Sequence, residues 1–282
     1  MMIEALFLFL LGSAIGSFLN VLIYRYEPGA SVFGRHLGGR SLCPRCKKKL
    51  SWYELLPIIS FIIQRGKCRH CKQNISFQYP VVEIIAGLIV MTIPQIIGDA
   101  SGVFIFVTAF LVLLTASVID IRHYVIPDAL TIIVALLGVI RTALISIEPG
   151  SIALVPGSFL GSYAYIFSFT NNPLIANFSA AIVSGVFFAT VILFSKGKAM
   201  GWGDAKLAFA IGLLIGWPDT IMALMIAFII GAIIGIYMLT VKTKKLKDAL
   251  PFGPFIAIGV AVVVYFGHNI ISAYFDMLNF IV

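Results

Sequence analysis

Two aspartates and four cysteines are the residues of this 282-residue sequence whose types and setting could do chemistry. Asp120 lies in IDIRHYVIP, Ile119 to Pro127, a short polar stretch between two apolar runs long enough to cross a membrane, and Asp128 follows directly. Asp204 lies in GWGDAK at the start of a further apolar run, preceded by Gly201 and Gly203. Taking an ionised carboxylate into hydrocarbon costs ~2.5–3.5 kcal/mol on insertion scales, so such residues usually line a polar cavity or carry function. Two carboxylates brought together cannot both ionise comfortably. One keeps a proton and the other acts as a base, which is the chemistry that activates water against a peptide carbonyl. Such a dyad titrates as a unit. The glycines at 201 and 203 let the backbone turn tightly and approach a neighbouring segment or a substrate strand. The plain alternative for either aspartate is a helix cap. Asp128, after Pro127 and opening ALTIIVALL, suits a capping or supporting role. Lys206 either snorkels to the interface or helps to position a substrate. Of the other acids in spans, Glu4 lies close enough to the outer surface to be solvated, and Glu83 faces headgroups or polar neighbours.

The cysteines fall in two pairs, CPRC (Cys43, Cys46) and CRHC (Cys68, Cys71), with 21 residues between the pairs. Each pair sets two thiolates on one tight turn, and two such knuckles complete a tetrahedral zinc site. A closed four-thiolate shell leaves no position for a reacting water, so the metal is structural. His70, inside the second knuckle, could replace a ligand, but Cys71 is better spaced. A segment of about 55 residues has little core of its own and is where a metal staple is needed. Disulfides are the weaker alternative if the segment is cytosolic.

Membrane spans must position these groups. The chain is 60% hydrophobic and 11% charged, with mean hydropathy +1.05, whereas an ordinary soluble domain carries about 25% charge. Apolar runs of the ~20-residue length a bilayer requires fall at 3–24, 80–97, 103–119, 128–147, 179–195, 204–216, 220–241 and 253–278. The 204–216 run is short and reads as a partial or tilted helix. Residues 150–172, broken by Pro156, Gly157 and Gly161, read as an aqueous-side hairpin or a re-entrant segment. The N-terminal run lacks a basic leader region and reads as a retained first span. The expected fold is therefore an all-α polytopic membrane protein of about eight transmembrane helices, with a small cytosolic zinc-binding domain between the first and second. The parts are a first helix (1–24), a cysteine domain (25–79) and a membrane core (80–282). With eight spans, 19 of the 20 Lys and Arg fall on one side, Arg141 being the exception. An excess of this kind marks the cytosolic face. The net charge of +8 then reflects topology and anionic membrane lipids, not nucleic acid.

Other chemistries are poorly served. The sequence has no HExxH helix, no G-x-S-x-G elbow, no phosphate-binding loop and no glycine-rich dinucleotide fingerprint. Its histidines (His36, His70, His123, His268) pair with no apparent nucleophilic serine. An ion-coupled transporter could use the same carboxylates as a proton relay, but the halves show no convincing repeat. A zinc-dependent scaffold without catalysis is a third reading.

In order along the chain, GSFLNVLIYR (Gly16–Arg25), CPRC…WYELLPIISF…GKCRHC, ISFQYPVVE (Ile75–Glu83), IDIRHYVIPD, MGWGDAK and LPFGPFIAIG (Leu250–Gly259) resemble the bacterial type IV prepilin peptidases. Residues 142–178 match none of the family's motifs. The cysteine domain separates the chain from shorter preflagellin-type relatives. The resemblance implies an intramembrane aspartyl protease of the GxGD type in the bacterial cytoplasmic (inner) membrane. It would cleave a short basic leader after glycine from type IV prepilins or pseudopilins at the cytosolic face. It would then methylate the new N-terminal amine with S-adenosylmethionine. By resemblance Asp120 and Asp204 are catalytic and Cys43, Cys46, Cys68 and Cys71 bind zinc. Gly66 and Lys67, beside the second knuckle, are candidate contacts of the methyl donor.

Overall fold

The computed structural model describes residues 2–29, 32, 39, 41–43, 45–147, 157–198, 200–241 and 249–278. Arg35, His36, Arg40, the lysines at 242, 244, 245 and 247, and the start of the 150–172 segment lie outside them. The described residues are helical, with two isolated β-bridges and no strand. The chain forms two compact units, Met1–Thr115 and Ala116–Val282.

In the first unit α1 (Met2–Arg25) packs along α3 (Gln78–Ile96). Apolar residues cover α1 on every side, so hydropathy alone does not say which face meets a partner. The small residues do: Gly12, Ser13, Gly16 and Asn20 are its buried positions near the contact. A Cβ at Gly12 would stand 2.6 Å from the Ala86 carbonyl oxygen, and one at Gly16 2.9 Å from Glu83 Cα. Between apolar helices in lipid, close backbone approach is the main source of packing energy, which is why small residues mark the seam. Asn20 donates to the Tyr79 carbonyl at 3.1 Å at the end of the same stripe. Between these helices lie a 3₁₀ turn, Trp52–Glu54, and the short α2 (Ile59–Ile63). α4 (Ala100–His123) runs from the first unit into the second, its start held by Asp99, which accepts the Gly102 N–H at 2.6 Å.

The second unit is built around α8 (Trp202–Ile215), flanked by α5 (Asp128–Ile147) and α7 (Pro173–Phe194). α7 runs antiparallel to α8: Ser184 donates to the Ala208 carbonyl at 3.0 Å, and Asn177, nearer the start of α7, to the Leu213 carbonyl at 3.1 Å. α5 runs parallel to it, with Asp128 beside Lys206 at one end and Thr142 beside the Leu213 carbonyl at the other. α9 (Asp219–Thr240) and α10 (Gly253–Met277) complete the unit, Gly259 of α10 lying against the Ala223 carbonyl of α9.

Seven of the eight expected spans form helices long and apolar enough to cross a membrane among the described residues. The eighth is α8, whose 14 residues reach about 21 Å, less than the ~30 Å hydrocarbon layer. Most of its residues are buried against protein and not exposed to lipid, so its length need not match the bilayer. It still carries the chain from one end of its unit to the other, because its neighbours α7 and α9 both return. The 157–172 segment forms no span. It holds a 3₁₀ turn, Gly161–Tyr163, and the one-turn α6 (Ala164–Phe167), packed at the far end of α8.

That far end contains an acid that a scan of span ends overlooks. Asp219 is fully buried, accepts the Phe159 N–H at 2.8 Å, and so fixes the 157–160 turn to the start of α9. Trp217 donates to the Phe167 carbonyl at 2.8 Å alongside. Arg141, the one basic residue expected away from the others, is buried here and donates to the Gly157 carbonyl at 3.1 Å. It explains its own exception to the charge rule: its role at this end is internal.

A Cβ at Gly212 would run into the backbone of Ala181. Neither helix can yield by rotating a side chain, so Gly212→Val is expected to destabilise the protein by at least ~1–3 kcal/mol. Gly98, with open space around it, tolerates Ala. Thermal unfolding in detergent, followed by circular dichroism, compares the two.

Candidate active site and metal centre

Asp120 lies in the last turn of α4, buried at 4% exposure. The helix stops three residues later. The Tyr124 N–H still donates to the Asp120 carbonyl at 2.8 Å, but Tyr124 itself takes a left-handed conformation, φ 55°. That turn directs the chain through Val125 to Pro127 into α5. One carboxylate oxygen of Asp120, Oδ2, accepts the Gly253 N–H at 3.0 Å. Gly253 is the first residue of α10, and first-turn N–H groups have no partner within their own helix. They carry the positive end of the helix dipole and suit an anion. A Cβ at Gly253 would stand 2.9 Å from Asp120 Oδ2, so glycine is what lets the carboxylate come this close.

Asp204 occupies the first turn of α8, buried at 8% exposure. Its Oδ2 reaches back to the Gly201 N–H at 3.1 Å, so it caps the helix that carries it. Gly203 supplies room on its other side, since a Cβ there would be 3.1 Å from the Ile126 Cβ. Ile126 is buried and also lies 3.1 Å from where a Gly253 Cβ would be. A single side chain from the polar stretch after α4 therefore touches the neighbourhoods of both aspartates. Through Ile126 the Gly253 donor of Asp120 and the Gly203 neighbour of Asp204 border one space. Thus the two expected acids share one place, each with one oxygen on a backbone donor at the start of a helix.

Asp128 and Lys206, expected as separate supporting residues, meet each other: Lys206 Nζ donates to Asp128 Oδ1 at 2.7 Å. Both are exposed, so the pair contributes about 0–1 kcal/mol. It ties the start of α5 to the start of α8 beside the aspartates. Ile121, Tyr124, Val125 and Trp202, all exposed, neighbour the aspartates in sequence and give that end an apolar surface. Gly253 and Ile126 are the site residues that reading the sequence missed. The FGP signature around Gly253, a glycine before a proline at a helix start, was the available signal.

The four cysteines converge as their spacing requires, with sulfurs all within 4.8 Å of one another. None is in a disulfide. The two knuckles repeat one geometry. Lys47 N–H donates to the Cys43 carbonyl and Lys72 N–H to the Cys68 carbonyl, both at 2.9 Å. Lys47 and Lys72, each following the second cysteine of its pair, are both left-handed at φ 58° and 59°. Bridges Leu42–Lys49 and Lys67–Asn74 close the two hairpins. N–H groups of Cys71 and His70 point at the Cys68 sulfur and draw its pKa from the ordinary 9.0 down to about 7. Donors that favour a thiolate suit a metal ligand. The donor set and spacing fit one tetrahedral thiophilic ion. His70 stands 3.9 Å from Glu54 instead, and Glu54 is buried, accepting the Ser51 N–H at 2.9 Å. Gly66 and Lys67 lie at the base of the second hairpin. Gly66 is left-handed at φ 66°, and the place a Cβ would take is filled by the Phe61 ring, 3.1 Å away. Phe61 thus packs against one side of Gly66, and Lys67 beside it is exposed.

The purified full chain is expected to carry about one thiophilic metal ion, read by elemental mass spectrometry, and Cys68→Ser to lose it. Ligand sulfurs must be deprotonated to bind. Retention of the ion is therefore expected to fall as the pH is lowered and the four sulfurs compete with protons.

Residues 10–95 match the bacterial peptidase A24 N-terminal domain and residues 105–236 the type IV leader peptidase family. A prepilin leader peptidase/N-methyltransferase of Pseudomonas putida is 29% identical over 96% of this chain and 93% of its own. One from Vibrio cholerae is 31% identical over 70% of this chain and 72% of its own, and one from Legionella pneumophila 28% over 93% and 91%. No solved structure matches the chain significantly.

Proposed function

The chain belongs to the type IV leader peptidase family, and from that premise we propose that it cleaves the leaders of type IV prepilins or pseudopilins with Asp120 and Asp204. The observation that carries this reading is the meeting of the two buried carboxylates, each held by a helix-start N–H. The family match favours peptide hydrolysis over a proton relay.

The pair holds one proton between its two carboxylates at the start of the cycle. The ionised carboxylate takes a proton from a water as that oxygen attacks the scissile carbonyl carbon. The protonated partner gives its proton to the carbonyl oxygen, and a tetrahedral diol forms. When the diol collapses, the C–N bond breaks, the leaving nitrogen takes the proton that one carboxyl holds, and a diol hydroxyl gives its proton to the other carboxylate, restoring the singly protonated pair. The products are a leader ending in a carboxylate and a pilin with a free N-terminal amine. Gly253 and Gly201 keep their N–H groups on the Oδ2 atoms and leave the rest of each carboxylate for water and substrate. Holding both groups in one fixed geometry supplies much of the rate.

The face on which this happens is cytosolic in our reading. The Asp204 end of the second unit also carries Arg122, Lys196, Lys198 and Lys206, while Arg141 at the other end is buried. The positive-inside rule then orients the protein in the bacterial inner membrane. Cys43, Cys46, Cys68 and Cys71 would hold a zinc ion whose part is structural, fixing the two knuckles. The names of the relatives support methylation of the new amine with S-adenosylmethionine as methyl donor. Gly66 and Lys67, beside the second knuckle, are our candidate contacts of that donor.

Detergent-purified protein incubated with a prepilin and S-adenosylmethionine tests the reading, since mass spectrometry separates leader loss from an added methyl. Asp120→Asn and Asp204→Asn are each expected to lower cleavage by at least roughly 10²- to 10⁴-fold while the protein inserts and accumulates. Full cleavage by either variant would sink the dyad. Gly253→Ala keeps both acids but pushes on Asp120 Oδ2, so a fall of about 10- to 100-fold in kcat with stability retained is expected.

A further inference from the structure

The segment between the two knuckles carries an apolar stripe turned outward. Trp52, Leu55, Leu56, Ile59, Ile62 and Ile63 are all exposed, Trp52 at 76% and Ile63 at 74%. They lie within one short run, the 3₁₀ turn Trp52–Glu54, α2 and the residues between them. Glu54, within the same run, is buried, and the Phe61 ring lies 6.0 Å from that of Phe77. In a water-facing domain this pattern would be reversed.

The position of the stripe explains the reversal. Ile58 is left-handed at φ 61°, and its N–H donates to Glu83 Oε2 at 2.7 Å. Glu83 lies five residues into α3, about 8 Å along the helix from Gln78. The Pro57–Ile58 turn therefore sits alongside the first turns of a membrane-spanning helix, not beyond its end. At that level a backbone N–H has no dependable water, and Glu83 supplies the acceptor. Phe77, 70% exposed, extends the apolar surface to the residue before α3. Exposed Arg65, Lys67, Arg69 and Lys72 follow the stripe directly, and Arg69 stands 5.5 Å from the centre of the Tyr53 ring. An apolar face with aromatic and basic residues at its margin is the composition of a segment that lies in the bilayer interface.

We infer that Trp52–Ile63 is an interfacial wedge: its outward stripe inserts into the lipid headgroup and upper acyl region beside α3, with Glu83 holding the turn that dips deepest. The occupant of the apolar face is the bilayer itself. The cysteine knuckles are thereby fixed at the membrane surface and not suspended above it. This holds whatever reaction the aspartates perform.

The test uses the full chain in vesicles of phosphatidylcholine and phosphatidylglycerol, with or without phosphatidylcholine brominated on carbons near the headgroup. Emission lost in Trp52→Phe is the share belonging to Trp52. That share is expected to be strongly quenched by the brominated lipid and weakly by aqueous iodide. Quenching by iodide and not by bromine would overturn the wedge by placing Trp52 in water. Protection from both would overturn it by placing Trp52 under protein. A second variant, Ile59→Lys with Ile62→Lys, is expected to keep its metal content and lose most of the bromine quenching. Undiminished quenching in that variant would equally refute the role given to the stripe.

Discussion

A carboxylate removed from water must be given donors, and this chain gives each of its paired aspartates the start of a helix. Asp204 uses the Gly201 N–H at the beginning of its own helix; Asp120 uses the Gly253 N–H of another. Helix starts are a membrane protein's most available backbone donors, because their N–H groups are unpaired by construction. The arrangement constrains much of the second unit. α10 has to begin at the end of α4, α8 has to begin beside α5, and Ile126 has to fill the space between them. The glycines at 203 and 253 follow from that closeness.

The same constraint accounts for the shape of α8. Apart from Trp202, Gly203, Lys206 and Phe209, the residues of α8 are buried, and α5 and α7 flank it. Enclosure removes the need to match the bilayer, and 14 residues suffice. The 157–172 segment occupies the end that α8 leaves open, anchored by Asp219 and Trp217. Two buried acids thus lie near the two ends of one short helix: Asp204 caps its start beside Asp120, and Asp219, at the start of α9, holds a turn in place.

In the first unit another buried acid does comparable work. Glu83 joins the metal-bearing segment to α3 through one N–H, while Gly12 and Gly16 bring α1 against the same helix. The two knuckles are rigid, small and nearly identical in backbone, and their hold on the membrane comes from this bond and from the outward apolar stripe.

The sequence by itself determined the local and compositional facts: the all-helical membrane class, seven spans and a short eighth, the four-thiolate cluster and the two polar stretches that bear the aspartates. Hydropathy, cysteine spacing and glycine placement act over a few residues and need no partner to be read. Tertiary structure alone decided which groups meet. Asp120 and Gly253 are separated by 133 residues, Phe159 and Asp219 by 60, and Ile58 and Glu83 by 25. In helices apolar on every side, periodicity carries no direction, so nothing local says which face turns inward or which N–H finds which oxygen. Asp219 is not distinguished in the sequence for this reason. Asp128 and Lys206, read separately as a cap and an anchor, became a pair only when α5 and α8 were set side by side.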